Sequence, residues 1–118
     1  MNPQIYHNPR CSKSRATLAL LREAGIEPEI IDYLNTALRK EVLIDTIAAT
    51  GLCVRDVLRS GEEAYKQLGL GDKAISDDAL LDAIIANPIL LNRPIVVTDR
   101  GARLCRPPEL VLEILPTA

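Results

Sequence analysis

The chain has 118 residues, 47% of them apolar and 25% charged, with a formal net charge of −2; this describes one soluble globular domain able to bury about two thirds of its unfolded surface. It contains no Trp and no Phe, so the core has to be aliphatic and nucleic-acid binding by aromatic stacking is not expected. The near-neutral charge supplies no global attraction to nucleic acid or to acidic membranes, and no apolar run approaches the ~18 residues of a membrane span.

Met-Asn-Pro-Gln leads directly into a strand pattern, so no signal peptide is expected. The three cysteines are an odd number, which points to thiols in a reducing, cytoplasmic setting rather than to a disulfide scaffold. Gln4 to His7 reads as a short strand. Asn8-Pro9 makes a tight turn, and Cys11 then stands at the mouth of a helix predicted over Ser12 to Ala24. Leu18 and Leu21 fall on one face of that helix, Arg15 and Arg22 fall on another, and Gly25 closes it. After Pro28, Glu29 to Tyr33 is a second strand. A strand, a helix and a strand make a βαβ unit, so the two strands should be parallel with the helix packed on one face.

The middle of the chain reads as helical. Arg39 to Thr50 carries Leu43, Ile44, Ile47 and Ala48 on its inner side and stops at Gly51. Val54 to Leu58 is a helical turn that delivers Arg59, and Glu63 to Leu68 is another short helix. Ser76 is the expected N-cap of a helix running to Ala86, with Asp77 and Asp78 in the first turn and Leu80, Leu81, Ile84 and Ile85 inward. Ile95 to Thr98 is a buried strand, Asp99-Arg100-Gly101 a hairpin turn, and Ala102 to Cys105 its partner strand. Pro107-Pro108 opens a final helix with Leu110, Val111, Ile114 and Leu115 toward the core.

The order is therefore β-α-β, helices, then β-β-α. This is similar to the thioredoxin-like arrangement with extra helices between its halves, in a single domain 1–118 with the helical insertion at about 36–88. In that arrangement a reactive cysteine ends the first strand and a cis proline precedes the third. Cys11 and Pro94 occupy those places, while the sequence by itself leaves the isomer of Arg93-Pro94 open.

Cys11 is the candidate nucleophile. His7, Arg10, Lys13 and Arg15 lie within four residues of it, and an electropositive helix N-terminus is where a thiol becomes thiolate. An unperturbed thiol is only about 3% ionised at pH 7, and lowering its pKa by two units takes about 2.7 kcal/mol of preference for the anion. A helix terminus supplies about 0.3–1 kcal/mol, so other cations or hydrogen bonds have to supply the rest. The position three residues on is Ser14, so there is no CxxC pair and no internal disulfide at that spacing. Cys105 reads as a core thiol, and Cys53 has no functional case. The resolving thiol is then external: a small thiol such as glutathione, or a redox protein.

Arg59, Arg93 and Arg106 each stand at the edge of an element, the last two beside prolines. A guanidinium fork matches a tetrahedral oxyanion, so together these three are a candidate anion site. His7, at the strand end, is either a satisfied polar residue or a group that supports the thiolate; Asn8 and Ser14 are further candidate hydrogen-bonding groups.

With these residues in hand the chain resembles the glutaredoxin-dependent arsenate reductases of the ArsC family. The matching segments are Ile5-Tyr-His-Asn-Pro-Arg-Cys11-Ser-Lys-Ser-Arg15, Val57-Leu-Arg59 with Tyr65-Lys-Gln-Leu-Gly-Leu70, Asn87-Pro-Ile-Leu-Leu-Asn-Arg93-Pro-Ile-Val-Val97, and Leu104-Cys-Arg106-Pro-Pro-Glu109. The resemblance implies that Cys11 attacks arsenate and that Arg59, Arg93 and Arg106 hold the oxyanion. It implies supporting roles for His7, Asn8, Ser14 and Pro94. Glutathione would act as co-substrate and glutaredoxin as partner, with no metal and no bound cofactor. Two other readings share the fold: an Spx-like regulator that binds RNA polymerase, and a glutathione-dependent thiol oxidoreductase of another substrate. Many Spx-type proteins carry CxxC, whereas this chain has Cys11-Ser-Lys-Ser14 and keeps its candidate arginines.

Overall fold

A computed structural model describes residues 2–115 of the chain. These residues divide into two compact units. One is built from the segments up to Thr36 and from Arg93 onward, and the other is Ala37–Asn92.

The first unit contains the sheet. Its strands are β1 (Gln4–Tyr6), β2 (Glu29–Ile31), β3 (Ile95–Thr98) and β4 (Gly101–Leu104), in the spatial order β2-β1-β3-β4. β1 and β2 pair in parallel, with Ile5 opposite Ile30, as the βαβ pattern requires. β3 runs antiparallel to both β1 and β4. The hairpin is one residue tighter than its sequence suggests, because Gly101 pairs with Thr98 and leaves only Asp99 and Arg100 in the turn. Gly101 sits at φ 126°, a conformation that favours glycine.

Helix α1 (Ser12–Glu23) connects β1 to β2 and buries Ser14, Thr17, Leu18 and Leu21. The spacing of Leu18 and Leu21 places both on the sheet side, and burying each contributes about 1.5–3 kcal/mol. The helix ends in a Schellman arrangement: Ile26 N–H reaches back to Leu21 O (2.9 Å) and Gly25 N–H to Arg22 O (3.0 Å). Gly25 has φ 82°, which a side chain would strain.

The last helix differs from its expectation. Pro108–Ile114 is a 3-10 helix rather than an α-helix. Its two buried anchors, Val111 and Ile114, are three residues apart, and that is the spacing a three-residue turn places on one line. They join Ile5, Leu18, Leu21, Val96 and Cys105 in one aliphatic core. Leu110 and Leu115 are only partly buried. The Thr98 hydroxyl donates to Ile114 O at 2.6 Å, tying the helix end to the hairpin. The result is a thioredoxin-like β-α-β/β-β core closed by this 3-10 segment.

The second unit is helical: α2 (Lys40–Thr50), a 3-10 turn Val54–Val57, α3 (Glu63–Gln67), α4 (Asp77–Ala86) and a 3-10 turn Pro88–Leu90. Gly51 ends α2 at φ 78°. Ser76 caps α4, its hydroxyl accepting from Ala79 N–H at 3.2 Å. Lys40 bridges the two helices by reaching Asp78 (2.6 Å) and Asp82 (2.9 Å). α2 packs through Leu43, Thr46 and Ile47. Ile44 and Ala48, expected inward, are exposed and border a shallow hollow with Leu52, Cys53 and Leu81. Ile85, also expected inward, is half-buried; Leu80, Leu81 and Ile84 carry that face of α4.

Candidate active site

The turn that precedes α1 is built by Asn8. Its carbonyl accepts the Cys11 N–H at 3.0 Å, and its side-chain Oδ1 accepts the Arg10 N–H at 3.0 Å. Both bonds fold the chain back at Pro9, the Asx-turn chemistry that asparagine favours. Cys11 then occupies the N-cap position of α1, with extended backbone angles (φ −93°, ψ 122°) and its carbonyl accepting the first helical bond from Arg15.

The thiol is only 8% exposed. Burial is the largest influence on it and pushes its pKa up. The Ser14 backbone N–H, the Arg93 charge, the Lys13 backbone N–H and the Arg106 charge oppose this, and together they hold the thiol below its ordinary value of 9.0. The helix terminus therefore acts through two specific N–H groups aimed at sulfur. The remaining pull comes from arginines far away in sequence.

The cations nearest in sequence play no such part. Arg10, Lys13 and Arg15 are exposed, and Arg15 donates to Pro9 O at 2.8 Å. Arg93 and Arg106 are joined to each other, Arg106 Nη1 donating to Arg93 O at 3.0 Å. The Nε and Nη1 nitrogens of Arg93 are buried. The Arg93-Pro94 peptide bond is cis, as the fold resemblance implied, and so is Arg106-Pro107. Pro94 is buried and its carbonyl accepts the Cys105 N–H at 2.9 Å, so the backbones that carry the two arginines are held together.

His7, Asn8 and Ser14 form a second cluster beneath the turn. Ser14 is fully buried. Its hydroxyl accepts from Asn8 N–H at 3.1 Å and shares a 2.6 Å hydrogen bond with His7 Nδ1. Burial lowers the His7 pKa most; the Arg22 charge adds to this, Asp32 opposes it and Arg15 adds a little more, leaving the imidazole more readily neutral than usual. The side chains of His7 and Ser14 thus engage each other, while the Ser14 backbone faces the sulfur.

Arg59 lies in the helical unit. Its backbone N–H donates to Leu90 O at 2.8 Å, beside the bridge between Leu58 and Leu91. Its guanidinium pairs with Glu62 at 2.6 Å. Glu62 was not singled out from the sequence, although a carboxylate three residues after an arginine across a Ser-Gly break was a readable sign of such a pair. The other thiols differ sharply. Cys105 is fully buried, just beyond β4, and burial pushes its pKa up to about 12. Cys53 is exposed and its thiol donates to Asp56 Oδ2 at 2.9 Å. Among the described residues no cluster of His, Cys, Asp or Glu fits a metal ion, and no helix is long and apolar enough to cross a membrane.

A buried, ionisable sulfur with two arginines acting on it is equipped for nucleophilic attack on an anion, and similar proteins share the whole framework. Residues 6–114 match the model of the ArsC family. The arsenate reductase of Escherichia coli (strain K12) is 52% identical over 117 residues, covering 99% of this chain and 83% of that protein. A second Escherichia coli (strain K12) protein, the uncharacterized YfgD, is 50% identical over 113 residues and covers 95% of each chain. A solved structure of the arsenate reductase from Vibrio cholerae superposes with a TM-score of 0.93 at 53% identity, covering 98% of both chains. By a family match across nearly its full length and by relatives at half identity, the chain belongs to the ArsC family.

Proposed function

We propose that this protein reduces arsenate to arsenite, with Cys11 as nucleophile and glutathione and glutaredoxin as reductants, in the cytoplasm. The observation that carries the reading is the setting of Cys11: it stands buried at the N-cap of α1, where two backbone N–H groups and the charges of Arg93 and Arg106 hold its thiol below the ordinary value. The likeness to arsenate reductases supplies the substrate.

In the first step the Cys11 thiolate attacks arsenic and displaces one oxygen, which leaves as water after protonation. A sulfur–arsenic bond forms without change of oxidation state. Glutathione thiolate then attacks the Cys11 sulfur. The electron pair of the sulfur–arsenic bond passes to arsenic, which falls from As(V) to As(III) and departs as arsenite. The two thiolates are thereby oxidised to a Cys11–glutathione disulfide. Glutaredoxin takes the glutathione and returns Cys11 to its thiol. No internal partner is needed, in keeping with Ser14 at the position a second cysteine would hold.

Arg93 and Arg106 are assigned to the oxyanion because their charges already act on the sulfur that would attack it. Arg59 is assigned on its motif, Val57-Leu-Arg59. Asn8 shapes the turn that presents Cys11, His7 and Ser14 brace that turn, and Pro94 fixes the carrier of Arg93.

The test is arsenate-dependent NADPH oxidation with glutathione, glutaredoxin and glutathione reductase. Turnover should vanish in Cys11→Ser and fall at least tenfold in Arg93→Ala and Arg106→Ala, as expected when a charge-stabilising donor is removed. Absence of turnover in the wild type, with the coupling proteins active on a control disulfide, would refute the arsenate assignment.

A further inference from the structure

The Arg59–Glu62 ion pair differs from the protein's ordinary surface pairs. Its side chains are 25% and 22% exposed, whereas Arg22–Glu27 stands at 51% and 68% and Arg39–Glu41 at 77% and 77%. Both backbones are anchored. Arg59 N–H bonds to Leu90 O at 2.8 Å, Glu62 N–H to Arg59 O at 3.2 Å, and Glu62 O accepts from Tyr65 N–H at 3.1 Å as α3 begins. The short Nη1–Oε1 distance of 2.6 Å is therefore a property of the folded turn rather than of two long side chains meeting in solvent.

A carboxylate oxygen on a guanidinium occupies the same kind of position as an oxygen of arsenate, phosphate or sulfate, since all use the planar N–H fork. It also offsets part of the charge that would draw such an anion in. We propose that Glu62 is a built-in counter-anion for Arg59, which an incoming tetrahedral oxyanion has to displace, so that Glu62 sets how tightly the protein holds oxyanions. This rests on the reading of Arg59 as an oxyanion-binding residue. Binding is then an exchange of one anion for another. It weakens the hold of every tetrahedral anion alike and returns Arg59 to a paired state when the product leaves.

The test is calorimetric binding of inorganic phosphate, which presents the oxyanion without the chemistry, to the full chain and to Glu62→Gln. Removing a partly shielded carboxylate partner should tighten binding by about two- to fivefold, the range a single ion pair of this kind spans. The same change made in an Arg59→Ala background should have no effect, because Glu62 acts through Arg59. In the coupled assay KM for arsenate should fall by the same factor with kcat within about twofold, a split that loss of structure does not produce. Glu62→Ala should move binding in the same direction, which guards against a peculiarity of the amide. Unchanged or weaker phosphate binding in both variants, or a gain that persists without Arg59, overturns the proposal. If arsenate turnover is absent but the phosphate effect holds, the reductase reading fails and the Glu62 assignment stands. Turnover with no effect of Glu62 on phosphate binding does the reverse.

Discussion

Ser14 offers a way to separate what holds the turn before α1 from what lowers the pKa of the Cys11 thiol. Its hydroxyl is fully buried, accepts from Asn8 N–H at 3.1 Å and shares a hydrogen bond with His7 Nδ1 at 2.6 Å. Ser14→Ala leaves both partners without this oxygen, and His7 and Asn8 are only 8% and 9% exposed, so water does not readily replace it. A buried polar group deprived of its partner costs about 1–3 kcal/mol. Two such groups, allowing for some relaxation, give a loss of about 2–4 kcal/mol. With a urea slope near 2 kcal/mol per molar, the unfolding midpoint should drop by about 1–2 M. The thiol should respond differently. Cys11 is influenced by the Ser14 backbone N–H, which alanine keeps, and by Arg93, Lys13 N–H and Arg106, which the substitution does not touch. The pH dependence of Cys11 alkylation should therefore keep a midpoint below 9.0. A stability loss under about 1 kcal/mol would show that the cluster does not brace the turn. A thiol midpoint that returns to the ordinary range would show that the side chain, and not the backbone, activates the sulfur.

Three further outcomes follow from the same geometry. In Arg93→Ala and Arg106→Ala the midpoint of Cys11 alkylation should move upward, because each removes a charge that favours the thiolate; iodoacetamide rates from pH 5 to 9 would measure it, and a midpoint unmoved in both would contradict the electrostatic assignment. Cys105, fully buried and pushed up to about 12, should resist alkylation in the folded protein and react at an ordinary rate in denaturant, with mass spectrometry reading the site; fast native labelling would mean the core around Val111 and Ile114 opens readily. His7 has a lowered folded-state pKa, so the unfolded chain takes up its proton first. Stability should hold above about pH 6.5 and decline as pH falls from there through the lower folded value, and the slope should flatten in His7→Gln when urea midpoints are compared at pH 7.5 and 5.5.

Much of the architecture was legible because it is encoded by short-range signals. The Leu18/Leu21 spacing, Gly25 at a left-handed C-terminus, the Ser76 cap and the Gly51 stop each act within one or two turns of chain, and each formed where the local chemistry pointed. The same holds for Cys11 at the N-cap of α1, since the Asn8-Pro9 turn and the start of an amphipathic helix sit side by side in sequence. Ile44 and Ala48 were misplaced because helical periodicity gives an apolar stripe without saying which part of it a neighbour covers; α2 packs on α4, and Leu43 and Ile47 are the apolar side chains it buries. The final helix took 3-10 form with Val111 and Ile114 as its buried anchors, and an i,i+3 spacing in the sequence suits an α-helix and a 3-10 helix alike.

The charge environment of the sulfur belongs to the tertiary structure. By sequence, Arg10, Lys13 and Arg15 are the cations around Cys11, yet those side chains turn to solvent or to Pro9 O. The cations that act on the thiol are Arg93 and Arg106, brought to it by the antiparallel pairing of β3 with β1 and of β4 with β3. Coulomb interaction depends on distance through space and on shielding from water, and neither is set by separation along the chain. The sequence by itself determined which cysteine would stand at the N-terminus of α1, directly after the Asn8-Pro9 turn. Folding decided which arginines lower the pKa of its thiol, that the Ser14 hydroxyl serves the turn while its backbone serves the sulfur, and that Arg59 is held by Glu62.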